Sequence, residues 1–327
     1  MFAVADNPAS GPIVRACLVA GAWAVACYFL VEWARPDSGL VTVSFALLQP
    51  AAICAFIAVV GDPLRTRGLR FYMLVPLVSA VGMVLVSFFL LKEGAVCIAM
   101  LAPIWTLAGM AGTGIAWKLR PRSDESAVLA ETFRVHALLV FPMLALIVES
   151  ALPVPEAHRT VTSEVVIDAP AEAIWPLMEG MGAVSPDEGE WNVTQSLVGI
   201  PRPQMARLDG EGVGARRHAR WDYGVHFDEV VNRWEPRHAI HWDFDFADSA
   251  GWDITDPHLR PDGPYMRIES GGYTLEPLGD GRHRLRLHTS YTAQTHFNGY
   301  AAFWGSLFLG DIQDNVLEII RQRAEAE

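Results

Sequence analysis

Four apolar stretches, each about as long as a helix that crosses a bilayer, dominate the first half of this chain: Ile13 to Ala34, Leu40 to Val60, Phe71 to Leu91 and Ala95 to Trp117. A hydrocarbon core of about 30 Å asks for roughly 20 apolar residues of helix, and each stretch meets that length. Short segments holding Pro36, Asp37, Gly39, Asp62, Pro63, Lys92 and Glu93 separate them. A fifth stretch, Val135 to Leu152, is shorter, carries Glu149 near its end and closes with Pro153 and Pro155. It either forms a fifth span or lies along the interface. With 51% of all residues hydrophobic, the chain needs two solvents.

Charge separates the halves. Before Pro153 there are ten Lys/Arg and nine Asp/Glu, and after it fifteen Arg, no Lys and twenty-eight Asp/Glu. A second half this acidic repels phosphate backbones, so nucleic acid is not an expected partner. Cations gather in the second connecting segment as Arg65, Arg67 and Arg70, and in the fourth as Lys118, Arg120, Arg122 and Arg134. Segments rich in Lys and Arg stay cytoplasmic. With the N-terminus also inside, five spans deliver the C-terminal domain to the outer face, the periplasm of a bacterium whose inner membrane holds the chain. Four spans leave it in the cytoplasm. The nearly uncharged residues before Ile13 and the length of the first apolar run argue against a cleavable signal peptide.

Cys17, Cys27, Cys54 and Cys97 all lie in the apolar stretches without CxxC or metal-type spacing, and read as small buried residues. Glu32 and Glu149 sit near span boundaries, where a carboxylate reaches the aqueous interface. No paired acids at mid-membrane and no repeated span pattern suggest a transporter, so the bundle, residues 1–153, reads as an anchor.

From Thr160 onward the apolar pattern alternates with a period of two, the mark of half-buried strands. Strands are expected over Val161 to Asp168, Gly214 to Tyr223, Val225 to Trp234, Ala239 to Phe246, Tyr265 to Ser270, Gly272 to Pro277 and His283 to Thr292. A short helix follows Pro170. A long one, Tyr300 to Ala324, repeats Trp304, Leu307, Phe308, Ile312, Val316, Ile319 and Ile320 at spacings of three and four. The fold class is therefore an α-helical transmembrane bundle of four to five spans followed by an α+β domain, residues 159–327, in which an antiparallel sheet grips a terminal helix.

The phrase Val165-Val166-Ile167-Asp168-Ala169-Pro170-Ala171-Glu172-Ala173-Ile174-Trp175, with Gly212-Val213-Gly214-Ala215-Arg216-Arg217 opening the next strand and Glu229-Val230-Val231 later, resembles the START-like SRPBCC superfamily. That group includes birch-pollen-allergen-like proteins and polyketide cyclase or lipid-transport domains. The resemblance covers about Thr160 to the C-terminus, and not the spanning helices. It implies a helix-grip fold, a bent sheet around a C-terminal helix enclosing an elongated apolar cavity, and binding of a hydrophobic small molecule or lipid. It implies no shared catalytic set.

Strand alternation sorts side chains by face. Trp242, Phe244 and Phe246 oppose His241, Asp243 and Asp245, while Trp221 and Tyr223 share a face with Ala219 and Arg217. Aromatics turned toward the helix either fill the core or line a ligand cavity. The cavity candidates are Arg217, Trp221, Tyr223, Glu229, Trp242, Phe244, Tyr273, Tyr291 and Trp304. Arg217 and Glu229 fall on the inward face, where an unpaired charge is expensive, so they are expected to pair or to recognise a ligand headgroup.

The acidic and histidine-rich run His238, His241, Asp243, Asp245, Asp248, Asp253, Asp256 and His258 lacks the spacing of a calcium loop and reads as a solvated face. No metal site follows from it. No nucleophile elbow, phosphate loop or HExxH occurs, and the string Asp209 to Gly214 precedes a strand rather than a helix, so it reads as a turn; no cofactor is expected. The expected partners are a lipid or hydrophobic small molecule and the bilayer, and nothing in the sequence points to a protein partner. Two main functions follow, a membrane-anchored carrier or a cyclase- or dehydratase-type enzyme using Glu229, Tyr291 or a histidine in the same cavity, and a third reading makes the bundle the functional part and the domain its sensor or regulator.

Overall fold

The computed structural model describes residues 11–34, 42–120, 128–247, 252 and 259–326, with side chains described outside 30–34 and 128–136. Pro36, Asp37, Gly39, Arg122, Asp248, Asp253, Asp256 and His258, and the side chains of Glu32 and Arg134, lie outside the described residues. The chain divides into two compact units, Met1–Lys92 with Ile98–Val154 and Thr295–Phe297, and Glu93–Cys97 with Pro155–Gln294 and Asn298–Glu327.

Among the described residues the first half of the chain forms five α-helices: α1 (Gly11–Ala34), α2 (Gln49–Gly61, extended at its start by a π-helical turn, Ser44–Leu48), α3 (Leu69–Val86), α4 (Ala95–Leu119) and α5 (Val128–Ser150). Four helical stretches are long and apolar enough to cross a membrane: Gly11–Phe29, Ser44–Gly61, Leu69–Leu91 and Ala95–Leu119. Two polar clasps fix the ends of these helices. At one, the buried Asp62 carboxylate accepts from the backbone N–H of Thr66 and Arg67 and from the hydroxyls of Thr66 and Tyr72. There Arg120, just beyond α4, donates to the carbonyls of Asp62 and Pro63, and Arg65 donates to the carbonyl of Arg120. At the other, both oxygens of Glu149, near the end of α5, accept from the backbone N–H groups of Val43 and Ser44 at 2.7 and 2.8 Å. Those N–H groups belong to the first turn of a helix, where they lack a partner within the helix and carry a partial positive charge that a carboxylate neutralises. Glu149 is thus a cap for another helix rather than a carboxylate turned to water.

The second unit is one seven-stranded antiparallel sheet in the order β1-β7-β6-β5-β4-β3-β2, with a long helix across one face. The strands are β1 (Glu156–Ile167), β2 (Pro203–Asp209), β3 (Arg216–Trp221), β4 (His226–Glu235), β5 (Ala239–Asp245), β6 (Met266–Gly279) and β7 (Arg282–Gln294). The helices are α6 (Ala171–Glu179), whose first turn follows Pro170, and α7 (Asn298–Ala324). Strand β2 was not expected from the sequence, and the two runs Tyr265 to Ser270 and Gly272 to Pro277 form one strand with a bulge between Ile268 and Ser270. A bulge slips the alternation by one residue, which makes a continuous strand read as two.

Helix α7 packs chiefly on β1 and β7, the first and last strands. Its buried residues Val316, Leu317, Ile319 and Ile320 join Ile167, Ile174, Met178, Ile240, Tyr273, Leu275, Leu285 and Leu287 in the main core. On the other side of α7, residues 188–195 are strapped down by polar contacts. Thr194 gives its N–H and hydroxyl to Asp311, Glu190 its N–H to Asn315, Gly189 its N–H to Gln322, and Glu188 pairs with Arg323. The helix is gripped from both sides.

Candidate functional site

The register of the sheet arranges the inner face in rows. Arg217 of β3 stands beside Glu229 of β4, and Glu229 beside Phe244 of β5. The next row runs Val231, Trp242, Gly271, Thr289, Val161 across β4, β5, β6, β7 and β1. Residues directly opposite in antiparallel strands share a face, so each row is a line of neighbouring side chains.

Arg217 and Glu229 are 4% and 5% exposed and form an ion pair. The guanidinium also lies 5.1 Å over the Trp242 ring and 5.5 Å over the Tyr273 ring, and bonds the Tyr273 hydroxyl. Aromatic faces supply part of the solvation that water would give a cation. Burial pushes the Glu229 carboxyl up, against the pull of Arg217 beside it, and burial likewise pushes up the Tyr273 phenol. Arg217 itself stays protonated, held up by Glu229 and Tyr273 against the cost of its own burial.

Next to the ion pair, Phe227 is buried among Trp221, Phe244, Phe246 and Trp252, all of them half-buried. Phe244 and Phe246 stack at 5.7 Å, and Trp221 meets both Phe227 and Trp252. These partly open rings form a band of apolar surface on β3, β4 and β5, away from the strands on which α7 chiefly packs.

The remaining candidates separate. Tyr291 is buried at the α7 end of the face with Leu309 and Ala293, its hydroxyl turned to Gly305, where a Cβ would collide with it. That hydroxyl has no hydrogen-bond partner. Trp304 is half-buried on α7, packed on Tyr300 and Phe308. Tyr223 is a correction: strand β3 ends at Trp221, Tyr223 sits in a tight turn with a φ of 60°, and it is 63% exposed. Alternation carries no information once the backbone leaves the extended region, so Tyr223 does not share a face with Arg217.

Sequence reasoning missed Gln313 and Asn315. Both are buried polar residues on α7, and a helix read for its apolar spacing passes over them. Asn315 bonds Gln195 and Glu190, and Gln313 bonds Thr289 and the carbonyl of Val161.

Of the acidic and histidine-rich run, the described members each engage a different neighbour: His238 the carbonyl of Pro236, His241 the hydroxyl of Thr274, Asp243 Asn232, and Asp245 Arg216. Among the described residues no three potential metal ligands converge. On the outer face His241 and His288 meet edge to face at 4.8 Å over Gly272. Burial depresses both imidazoles, helped in His241 by the neighbouring His288 and Arg233. Both rings therefore take up a proton less readily in the fold than in the unfolded chain, where an imidazole protonates near pH 6.5. The unfolded state takes up protons first as the pH falls, so this pair contributes stability above about pH 6.5 that is lost toward the depressed values. Thermal melting between pH 7.5 and 5.5 is expected to show a smaller acid-side loss in a His241→Gln, His288→Gln double variant than in the wild type; equal losses would rule the pair out.

A sheet of this order wrapped on a C-terminal helix is the helix-grip arrangement. No protein-family model and no curated protein sequence matches the chain. Among solved structures it is similar to truncated norcoclaurine synthase from Thalictrum flavum (12% identity, 52% of this chain and 97% of that one, TM-score 0.30). It is also similar to the Zhui aromatase/cyclase from Streptomyces sp. R1128 (12%, 51% and 93%, TM-score 0.31) and to protein MLL2253 from Mesorhizobium loti (18%, 50% and 98%, TM-score 0.28). Likenesses of this size carry no argument about activity, and the description of the fold rests on the strand order and the packing of α7.

Proposed function

We propose that the chain is a membrane-anchored carrier that holds a hydrophobic small molecule or lipid on the inner face of its helix-grip domain. The observation that carries the reading is the band of half-buried aromatic rings, Trp221, Phe244, Phe246 and Trp252, around Phe227 and beside the sequestered Arg217–Glu229 pair. Partly exposed rings on the inner face of a sheet are apolar surface that a greasy guest would cover.

The anchor is the helical unit, read as five spans. Arg65, Arg67, Arg70, Lys118 and Arg120 stand at the end where α2 and α4 finish, since Arg120 bonds the carbonyls of Asp62 and Pro63. Glu149 joins the end of α5 to the start of α2, the opposite end. The apolar part of α5, Ala137–Ser150, is shorter than the four spanning stretches, while the whole helix of 23 residues rises about 34 Å toward the Glu149 end. This supports a domain on the face away from the arginines, the periplasmic face in a bacterium. A cysteine introduced at the exposed Asp280 in place of the four native ones is expected to react with an impermeant maleimide in intact spheroplasts; protection until lysis would reverse the assignment. Extraction of the purified full chain with organic solvent, followed by mass spectrometry, is expected to yield a stoichiometric apolar compound. A consistently empty protein would count against the carrier.

One observation favours an enzyme instead, the buried Tyr291 hydroxyl without a partner, a group able to act as a general acid in a cyclase or dehydratase. Its position against the backbone of α7 at Gly305 favours packing over catalysis. Glu229, the other candidate for proton transfer, is already neutralised by Arg217.

A further inference from the structure

The register of the sheet gives it two chemically different ends. Pairing places the start of β1, the end of β7 and the start of β6 at one end, together with the end of β5, the start of β4, the end of β3 and the start of β2. Helix α7 starts there as well, since the Asn298 amide donates to the carbonyl of Pro155 at 2.7 Å. It finishes at the other end, where the Glu325 carboxylate accepts from the backbone N–H of Asp168 at 3.0 Å. Aromatic rings mark the first end. Tyr223, in the turn between β3 and β4, is 63% exposed, and Phe303, in the second turn of α7, is 61% exposed. Trp221 at the end of β3, and Phe246 and Trp252 beyond β5, are half-buried. The second end is ionic: Asp168, Asp209 and Glu211 are exposed, Arg237 pairs with Glu172, and Arg282 pairs with Asp280. The exposed apolar side chains there, Val166, Val213 and Leu278, are aliphatic.

The covalent chain ties the aromatic end, and not the ionic one, to the apolar helices. The segment Ala151 to Pro155 joins the end of α5 to Glu156, the first residue of β1. An extended backbone covers at most about 3.5 Å per residue, so this end is held within roughly 20 Å of the membrane surface at which α5 finishes. The 12 residues of β1 then rise roughly 40 Å toward the ionic end. Rings that are partly apolar and partly wet gather at the boundary between lipid and water, tyrosine and tryptophan above all. An acidic domain gains nothing electrostatically from anionic headgroups, which leaves burial of rings as the contact.

We infer that the aromatic end of the domain dips into the headgroup zone of the bilayer that anchors the chain, with Tyr223 and Phe303 as the inserted rings. The bilayer is then a direct partner of the sheet domain and not only of its anchor. The inference rests on the anchor reading, and it holds on whichever face of the membrane the domain stands.

The test uses the full chain in lipid nanodiscs loaded with a single copy each. The native cysteines are replaced by alanine, and Leu77→Cys, Tyr223→Cys, Phe303→Cys or Asp280→Cys carries a nitrobenzoxadiazole dye. Tyr223, Phe303 and Asp280 are all exposed, so the changes there leave the fold in place. Dyes at 223 and 303 are expected to be quenched several-fold more by nitroxide-bearing phospholipids, and several-fold less by aqueous acrylamide, than the dye at 280. With the dye at 303, Tyr223→Ser is expected to lower the lipid quenching, and about 0.5 M salt to leave it unchanged, because rings rather than charges make the contact. Full acrylamide quenching at 223 and 303 would describe a domain tethered near the membrane without touching it, and loss of lipid quenching in salt an ionic contact; either overturns the inference. So does shielding found only when two chains share a disc, which makes a second copy the occupant. Leu77 is exposed on the apolar helix α3, and a dye there that lipid nitroxides fail to quench overturns the anchor reading itself.

Discussion

Replacing Arg217 by Met is expected to destabilise the domain by about 3–5 kcal/mol, the cost of leaving Glu229 charged, buried and unpaired. The guanidinium is the counter-charge of Glu229, and it also bonds the Tyr273 hydroxyl and covers the Trp242 and Tyr273 rings. Removing it strands several groups at once. The double variant Arg217→Met, Glu229→Leu is expected to recover most of that loss, because two apolar side chains of similar volume need no solvation. Chemical denaturation of wild type, both single variants and the double variant closes the cycle. If the double variant is no more stable than the single ones, the pair acts through something other than its charges. Should it recover stability but lose its extracted compound, the pair is retained for the guest rather than for the fold.

The second large effect is expected at Gly305. A methyl group there would meet the Tyr291 hydroxyl and ring, and Tyr291 is 2% exposed in the core. Gly305→Ala is therefore expected to cost roughly 1–3 kcal/mol by overpacking, although alanine is the better helix former. Tyr291→Phe alone is expected to be near neutral or slightly stabilising, because it removes a buried hydroxyl that bonds nothing. Combined, the two substitutions should be markedly less harmful than their sum, and additivity measured by denaturation would show that the two residues do not press on each other.

Much of this architecture is legible in the sequence because it follows from periodicity. The alternation of Phe227, Glu229 and Val231 on β4 and of Trp242 and Phe244 on β5 assigns the inner face without coordinates, and the four long apolar runs return as four long apolar helices. What was not legible depends on contacts between distant residues. Strand β2, with Pro203 at its start and Arg207 and Asp209 within it, has too weak an alternation to stand out and is recruited by pairing with β3. Tyr223 continues the count of two on paper, yet the turn at Asp222–Gly224 takes it out to solvent. Gln313 reads as a polar interruption of an apolar helix, and only its bonds to Val161 and Thr289, over 20 residues away or more, explain its burial. Glu149 likewise shows its role only once α2 is seen to begin beside it.

The pairing of β1 with β7 has a consequence for how the domain is made. The first strand to leave the ribosome finds its neighbour only after more than a hundred further residues are translated, and α7, which grips both strands, follows later still. Until then both edges of β1, rather than the one left in the finished sheet, are open to any other extended chain. Nascent chains cut short before α7 are accordingly expected to be substrates for proteolysis rather than partly working domains, because the pairing of β1 with β7 under α7 has the largest sequence separation in the sheet.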